Sequence, residues 1–527
     1  MPNSVDLPLC RRVLGTRLLT YALANVEVSD TEVLTHGQIE AATIFTVFAT
    51  AADGEREDHA RAHKIEGLLS CVEGTSTTWL AAARKAAGAA LPVTNEVDDR
   101  LVIELSELCL AFFPRQYFPL KSTPMLNGPG NSVYLYHHPS SVRLQVEVYE
   151  DADLGSLFQG HSPLTQEDTG TWRFASLGAQ ITLSSGMGTG VQMVGLPAAM
   201  INYAFILWRL RDGVEDDIRA VAAETIDTAK SLARGDATGL PLVTAIAGVK
   251  IDPPAFFTVG PTTLRPVDEV RAILPIFDGN TTAAMVASVP VRILSRQVEP
   301  DLTSFEDWSA FTSDFERHQR AVRELLDRTR LSLLLASTEL EVVTPVELGQ
   351  IVLNPLTSSS SWSGIGMPSV GVTSTLSSTV GDAAQAWWVK LENHPPSLWL
   401  GSRRLLSAAT SRLDPLDGFV DAVICWENMY GSGGAETTFR VCGAMARVLE
   451  PEDHTRRGVL FRELKKLYEH RSKLIHGAKE PSPQEAGSLR DRAVRLAIAS
   501  LSAMYERPDL LSAESSALRG QLAILEC

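Results

Sequence analysis

Only six cysteines occur in 527 residues, at positions 10, 71, 109, 425, 442 and 527, and no two of them stand in a CxxC spacing. That scarcity argues against a zinc ribbon or a disulfide framework. It suits a reducing compartment, so a cytoplasmic protein is expected. Long apolar runs are also missing. The nearest, "VQMVGLPAAMINYAFILW" at 191–208, is interrupted by Gln192, Pro197 and Asn202. A membrane span needs about 20 mostly apolar residues, so this stretch reads as a buried strand and helix, and no membrane partner is expected. Positive charge is in deficit: 47 Lys and Arg face 63 Asp and Glu, a net charge of −16. A uniformly acidic surface repels nucleic acid, so composition alone offers no RNA or DNA partner. The start, "MPNSVDLPLCRRVLGTRLL", lacks the basic, apolar and small-residue order of a secretory signal. No HExxH, no Gly-x-Ser-x-Gly, no P-loop and no repeat of fixed period is found.

The remaining composition, 45% hydrophobic and 21% charged, is that of a globular chain, and the length implies about two to four domains. The expected class is an α+β multidomain protein, a mixed α/β N-terminal region followed by an all-α bundle. Residues 1–125 read as mostly helical, with apolar residues at helical period over 38–70 and 96–113. Residues 126–354 read as mixed α+β, a region suited to sensing or regulation. Its strands are expected in "NSVYLYHH", "SVRLQVEVYED", "TWRFASLGAQITLSS" and "VPVRILSR", and its helices in "EDDIRAVAAETIDTAKSLARG", stopped by Gly235, and "DWSAFTSDFERHQRAVRELLDR". The Ser/Thr/Gly-rich stretch 355–381 reads as a linker or long loop. Beyond it, 382–512 form the bundle, with helices near 382–393, 397–412, 416–430, 436–449, 459–476 and 483–505. Ser482, Pro483 and Glu485 give the last of these a capping box. Residues 513–527 read as a tail.

Three weak motifs carry little. "GMGTGVQMVG" at 186–195 lacks the third glycine of a dinucleotide loop, since position 191 is valine, and reads as a strand-to-helix turn. His59 and His63 lie one helical turn apart with Glu66 near the same face, a spacing that can hold a metal, but no further ligand set accompanies them. No metal and no cofactor is therefore expected. His137 and His138 read as loop residues at a strand end.

Two misplaced charges say more. On a wheel of about 100° per residue, Leu460, Phe461, Leu464, Leu467, Tyr468, Leu474 and Ile475 make one apolar arc, and Arg471 falls near its middle. On "FVDAVICWENMY", Phe419, Val420, Val423, Ile424, Trp426 and Tyr430 make another, with Glu427 inside it. Burying a lone charge costs several kcal/mol, so Glu427 and Arg471 are expected to meet across the bundle. They would form either a structural ion pair that sets helix register or a functional one. His476 ends its helix just before Gly477, where the unpaired carbonyls favour a cation. It either caps those carbonyls or trades protons near neutral pH. From 451 to 480 eight Lys and Arg stand against five Asp and Glu, a local reversal of the overall sign.

Arg471-Ser472-x-x-x-His476-Gly477 matches the R-x(4–6)-H signature of HEPN domains. The blocks "RRLLSAATSRLDPLDGFVDAVICWENMYG", "ETTFRVCGAMARVL" and "LFRELKKLYEHRSKLIHG" resemble the three successive blocks of the Apea-like HEPN family. Asp421 through Glu427 to Met429 match a D-x-[apolar]-x-x-x-E-x-[LM] helix of that family, and Leu467 to Gly477 match its LY-x-x-RS-x-[apolar]-[apolar]-HG run. The resemblance covers the C-terminal quarter only. It implies an all-α HEPN-type bundle that dimerises, and a metal-independent endoribonuclease of the toxin, abortive-infection or antiphage-defence kind. His476 would be general acid or base at the ribose 2′-hydroxyl or the leaving 5′-oxygen, Arg471 would bind the scissile phosphate, and Glu427 would orient Arg471. Ser472 would support the phosphate, and Lys465, Lys466 and Lys473 would track RNA. The partners implied are RNA, a second copy of the chain, and an unidentified trigger or antitoxin. The alternative is a non-catalytic HEPN module that dimerises or binds RNA. Positions 471 and 476 stand about 140° apart on a regular helix. A loosened last turn, which Gly477 permits, and a second subunit are both expected to bring them to one phosphate.

Overall fold

The computed structural model describes residues 5–25, 34–89, 99–118, 132–159, 174, 176–211, 217–267, 280–297, 308–337, 342–357, 361–364, 373–431, 437–476 and 481–525. The chain begins with helices α1 (Leu7–Leu14), α2 (Thr16–Ala22), α3 (His36–Asp53), α4 (Asp58–Glu66), α5 (Trp79–Ala86), α6 (Arg100–Phe112) and α7 (Pro139–Glu150). Local chemistry sets their ends. Thr35 and Gln38 close a capping box on α3, and Asp99 accepts from the Leu101 amide to start α6.

Helix α7 corrects the strands expected here. "NSVYLYHH" contributes a 3-10 turn, Val133–Leu135, and "SVRLQVEVYED" is α-helical. Alternate positions in this run are apolar, yet Leu144 and Val148 are also four apart, and both are buried on the inner face. Pro139 in the first turn and the ring of His138, which accepts from the Ser140 amide at 3.2 Å, favour the helix.

A three-stranded antiparallel sheet follows, ordered β2-β1-β8 from β1 (Gly178–Leu183), β2 (Gly186–Gln192) and β8 (Ile293–Gln297). Thus most of "GMGTGVQMVG" is strand, paired with β1 from Gly186 to Gln192, and not the expected turn. Only Met193–Gly195 turn into α8 (Leu196–Leu210). Met193–Leu210 is the one stretch among the described residues long and apolar enough to cross a membrane, and 67% of it is buried. A helix apolar all round belongs in a core. Next come α9 (Ile218–Ala233), ended by Gly235 at φ +83°, and a six-stranded sheet. Its order is β10-β9-β3-β7-β6-β5, all neighbours antiparallel. The strands are β3 (Thr238–Ala247), β5 (Phe257–Val259), β6 (Thr262–Pro266), β7 (Ala283–Val291), β9 (Val346–Val352) and β10 (Ser361–Gly364).

The Ser/Thr/Gly-rich stretch is woven into the fold. Besides β10, it supplies β11 (Ser374–Thr375), which pairs in parallel with β4 (Val249–Lys250). Backbone ladders need no particular side chains, so a segment without periodicity still enters a sheet.

Helix α10 (Trp308–Leu335) joins the two halves. Its Val322, Leu326 and Leu333 lie in the core of the α/β region, while Leu331, Leu334 and Leu335 lie in that of the bundle. The bundle comprises α11 (Ser378–Lys390), α12 (Pro396–Leu406) with a π-turn at Ser407–Ser411, α13 (Pro415–Tyr430), α14 (Thr437–Leu449), α15 (His454–Ile475), α16 (Pro483–Met504), α17 (Pro508–Leu511) and α18 (Ser516–Leu525). The expected capping box of α16 is present. The presumed tail holds α18, whose Arg519 is fully buried. That guanidinium donates to the carbonyls of Leu510, Met429 and Ala513 and to the Ser397 hydroxyl at 2.8–3.1 Å.

Candidate active site

Helix α13 is the central rod of the bundle, buried on most of its circumference. Its Trp426 indole donates to the Ala493 carbonyl of α16 at 3.3 Å, and Tyr430 shares a hydrogen bond of 2.7 Å with Ser500. Glu427 emerges from it toward α15. Helix α15 starts at Asp453, whose carboxylate accepts from the amides of Thr455 and Arg456, both at 2.9 Å, and it buries Leu464, Leu467 and Tyr468.

The pair expected from the wheels is formed. Arg471 Nη2 donates to Glu427 Oε2 at 3.4 Å, the two side chains being 20% and 25% exposed. A third group joins them. Tyr468 Oη donates to the other carboxylate oxygen, Oε1. Positions 468 and 471 are three apart and share a helix face, so one carboxylate receives two donors from one helix. The guanidinium also stands 5.9 Å from the centre of the Tyr468 ring. Burial, then the hydrogen bond to Glu427 and that carboxylate's charge, push the Tyr468 phenol well above its ordinary range, so it remains a neutral donor. Arg471 Nε, by contrast, is buried with no hydrogen-bond partner. An unsatisfied buried donor costs about 1–3 kcal/mol, and an acceptor oxygen placed beside it removes that cost.

His476 stands apart. It is the C-cap of α15, at φ −89° and ψ 14°, its amide donating to the carbonyls of Ser472 and Leu474. The helix stays regular through Ile475, so the loosened last turn is not found. Gly477 lies outside the described residues. The His476 side chain is exposed, and no hydrogen bond or ion pair joins it to Arg471, Tyr468 or Glu427 among the described residues. Ser472 is half-buried beside Arg471. Lys465, Lys466 and Lys473 are exposed, Lys465 lying 3.8 Å from Glu469. Lys465, Lys466 and Lys473 project about 120–160° around the axis from Arg471, so the lysines share the far side of α15 rather than line the Arg471 site.

Tyr468 went unremarked in the sequence because it counts as apolar on a wheel. The available signal was a phenol one turn before an arginine, both on the buried stripe. Asp421, which shares α13, serves a different neighbour. Its side chain is 3% exposed and accepts from Arg404 at 2.6 Å, Arg412 at 2.5 Å and the Ser407 hydroxyl at 3.1 Å, clasping the π-turn.

The other candidates are spoken for. His59 is exposed beside Glu57, His63 stacks on Tyr134 with ring centres 5.7 Å apart, and Glu66 turns inward to Arg115 at 2.9 Å. Among the described residues no group of three or more His, Cys, Asp or Glu could hold a metal ion. His138 is no loop residue. It caps α7 and also hydrogen-bonds the Ser76 carbonyl, and burial lowers its pKa to about 4. Compared with known protein families, curated proteins and solved structures, the chain finds no match in any of the three. What the fold defines is a mixed α/β region followed by an all-α bundle.

Proposed function

We propose that the bundle is a metal-independent endoribonuclease of the HEPN type, an effector of the toxin or antiphage kind that the α/β region restrains or triggers. The observation that carries this reading is Arg471. Its guanidinium is aimed by Glu427, which Tyr468 steadies, while the side chain keeps 20% of its surface exposed. A phosphate oxygen meets the guanidinium there through a charge-assisted hydrogen bond. His476 takes the proton of the ribose 2′-hydroxyl as the 2′-oxygen attacks phosphorus. The P–O5′ bond breaks, the leaving oxygen gains a proton, and the products are a 2′,3′-cyclic phosphate and a 5′-hydroxyl. Arg471 stabilises the charge that develops on the phosphoryl oxygens. Within one chain His476 and Arg471 point apart, so the working site takes His476 from one copy and Arg471 from another.

The same separation favours a second reading, a non-catalytic module that dimerises or binds RNA. Incubation of the full chain with total RNA in EDTA separates the two. Cleavage that leaves cyclic phosphate ends, and that is lost in His476→Ala and in Arg471→Ala, supports the nuclease. A further arm mixes the two inactive variants. Recovery of part of the activity supports a site shared between copies. RNA left intact by a stable dimer supports the second reading.

A further inference from the structure

Away from that site, a groove of about 640 Å³ runs along α10 toward α12, where the α/β region meets the bundle. Phe315, Glu316, Arg320, Arg323 and Glu324 line it from α10, and Arg403 from α12. Steps of three and four residues place the α10 charges on one side of that helix. Glu316, Arg320 and Glu324 stand at the spacing where helical ion pairs close, yet no pair is closed. None of these three, nor Arg323, has a hydrogen bond or ion pair from its side chain among the described residues. Arg403, by contrast, is anchored from behind. Its Nε is 3.6 Å from Oδ2 of Asp327, and its guanidinium stands 5.9 Å from the Trp399 ring. Asp327 is held in turn by the buried Arg330, at 3.9 Å. The groove therefore has one pre-oriented guanidinium facing two that close no ion pair, Arg323 acting only at longer range on the charges of Asp327 and Glu347.

We infer that this groove binds a nucleoside phosphate. Arg320, Arg323 and Arg403 present planar forks of donors to the phosphate oxygens. Glu316 and Glu324 accept from ribose hydroxyls or exocyclic amines, and they oppose a bare polyphosphate that offers no donors. The volume lies within the usual range for small-ligand sites, about 300–1,000 Å³. The occupant touches both halves of the molecule, so its binding stabilises their junction by mass action. This site stands whether or not the bundle cuts RNA.

Equilibrium dialysis of the full chain with labelled ATP, GTP and inorganic triphosphate tests it. Saturable nucleotide binding is expected. R320E/R323E should weaken it at least about tenfold; because the Arg323 charge also acts on Asp327 and Glu347, R320E alone is the variant that should keep the wild-type melting temperature. R320Q/R323Q repeats the test without reversed charge. E316Q/E324Q should weaken the nucleotides and leave inorganic triphosphate unweakened. The inference is overturned by no saturable binding of either nucleotide at millimolar concentration. It is equally overturned by R320Q/R323Q binding like the wild type, or by inorganic triphosphate binding as tightly as the nucleotides.

Discussion

Arg471 occupies a position where its helix is otherwise apolar, and a single carboxylate makes that placement tolerable. Because Tyr468 and Arg471 share Glu427, their contributions are coupled. Tyr468→Phe and Arg471→Gln should each destabilise the chain by about 1–2 kcal/mol. The double variant should depart from the sum by about 0.5 kcal/mol or more. Urea denaturation measures this cycle, and strict additivity would contradict the shared acceptor. Buried histidines set a different dependence. His138 and His394 each have a pKa lowered to about 4, chiefly by burial. His394 is hydrogen-bonded to Tyr505 at 2.5 Å and to Ser402 at 2.9 Å. Both rings are neutral in the fold and take up a proton below about 6.5 once unfolded. The unfolded state therefore binds more protons between those values, and stability falls as pH drops from about 6.5 toward 4. Melting temperatures across that window should decline more steeply for the wild type than for His138→Gln or His394→Gln.

At the scale of single elements, the surprises came where one pattern served two structures. The apolar positions of α7 satisfy a period of two and of four, and Pro139 with the His138 cap decides for the helix. Helix α18 is short, and its place depends on one side chain. Arg519 ties it to the ends of α13 and α17 and to the start of α12 through four acceptors, with no carboxylate among them. Replacing it leaves several buried oxygens without donors. Arg519→Met should cost about 3–5 kcal/mol, read as a lowered urea midpoint. A chain ending at residue 513 should show the same loss.

At the scale of the molecule, two neighbouring tryptophans hold the halves together. Trp387 meets Tyr505 of the bundle edge-on, with ring centres 5.1 Å apart. Trp388 packs over Gly260 in the turn between β5 and β6, so closely that a Cβ there would fall 2.0 Å from the ring. Gln385 adds a hydrogen bond of 2.6 Å from the Gly260 amide. Gly260 also has φ +59°, a conformation costly for other residues. Deeper in, buried Arg330 of α10 donates to Pro345 and Glu347 beside the sheet and to Thr410 in the π-turn. Gly260→Ala should therefore displace α11 and lower stability by about 2–4 kcal/mol. Calorimetry should then resolve two transitions where the wild type shows one.

Much of the bundle was legible in the amino-acid order, because helices are local. Apolar spacing and the Ser482–Glu485 box placed α12 to α16 to within a few residues, with the start of α15 the widest miss, and the wheels paired Glu427 with Arg471 across two helices. Other features rest on contacts between residues far apart in the chain. Only the tertiary structure recruited a Ser-rich stretch into sheets through backbone pairing, turned an apparent tail into a packed helix, and set α10 across both cores. It also supplied Tyr468 to Glu427 and left His476 pointing away from Arg471. The sequence placed that histidine and arginine five residues apart. A helix that stays regular to Ile475 keeps their side chains about 140° apart, because its backbone hydrogen bonds persist to the last turn.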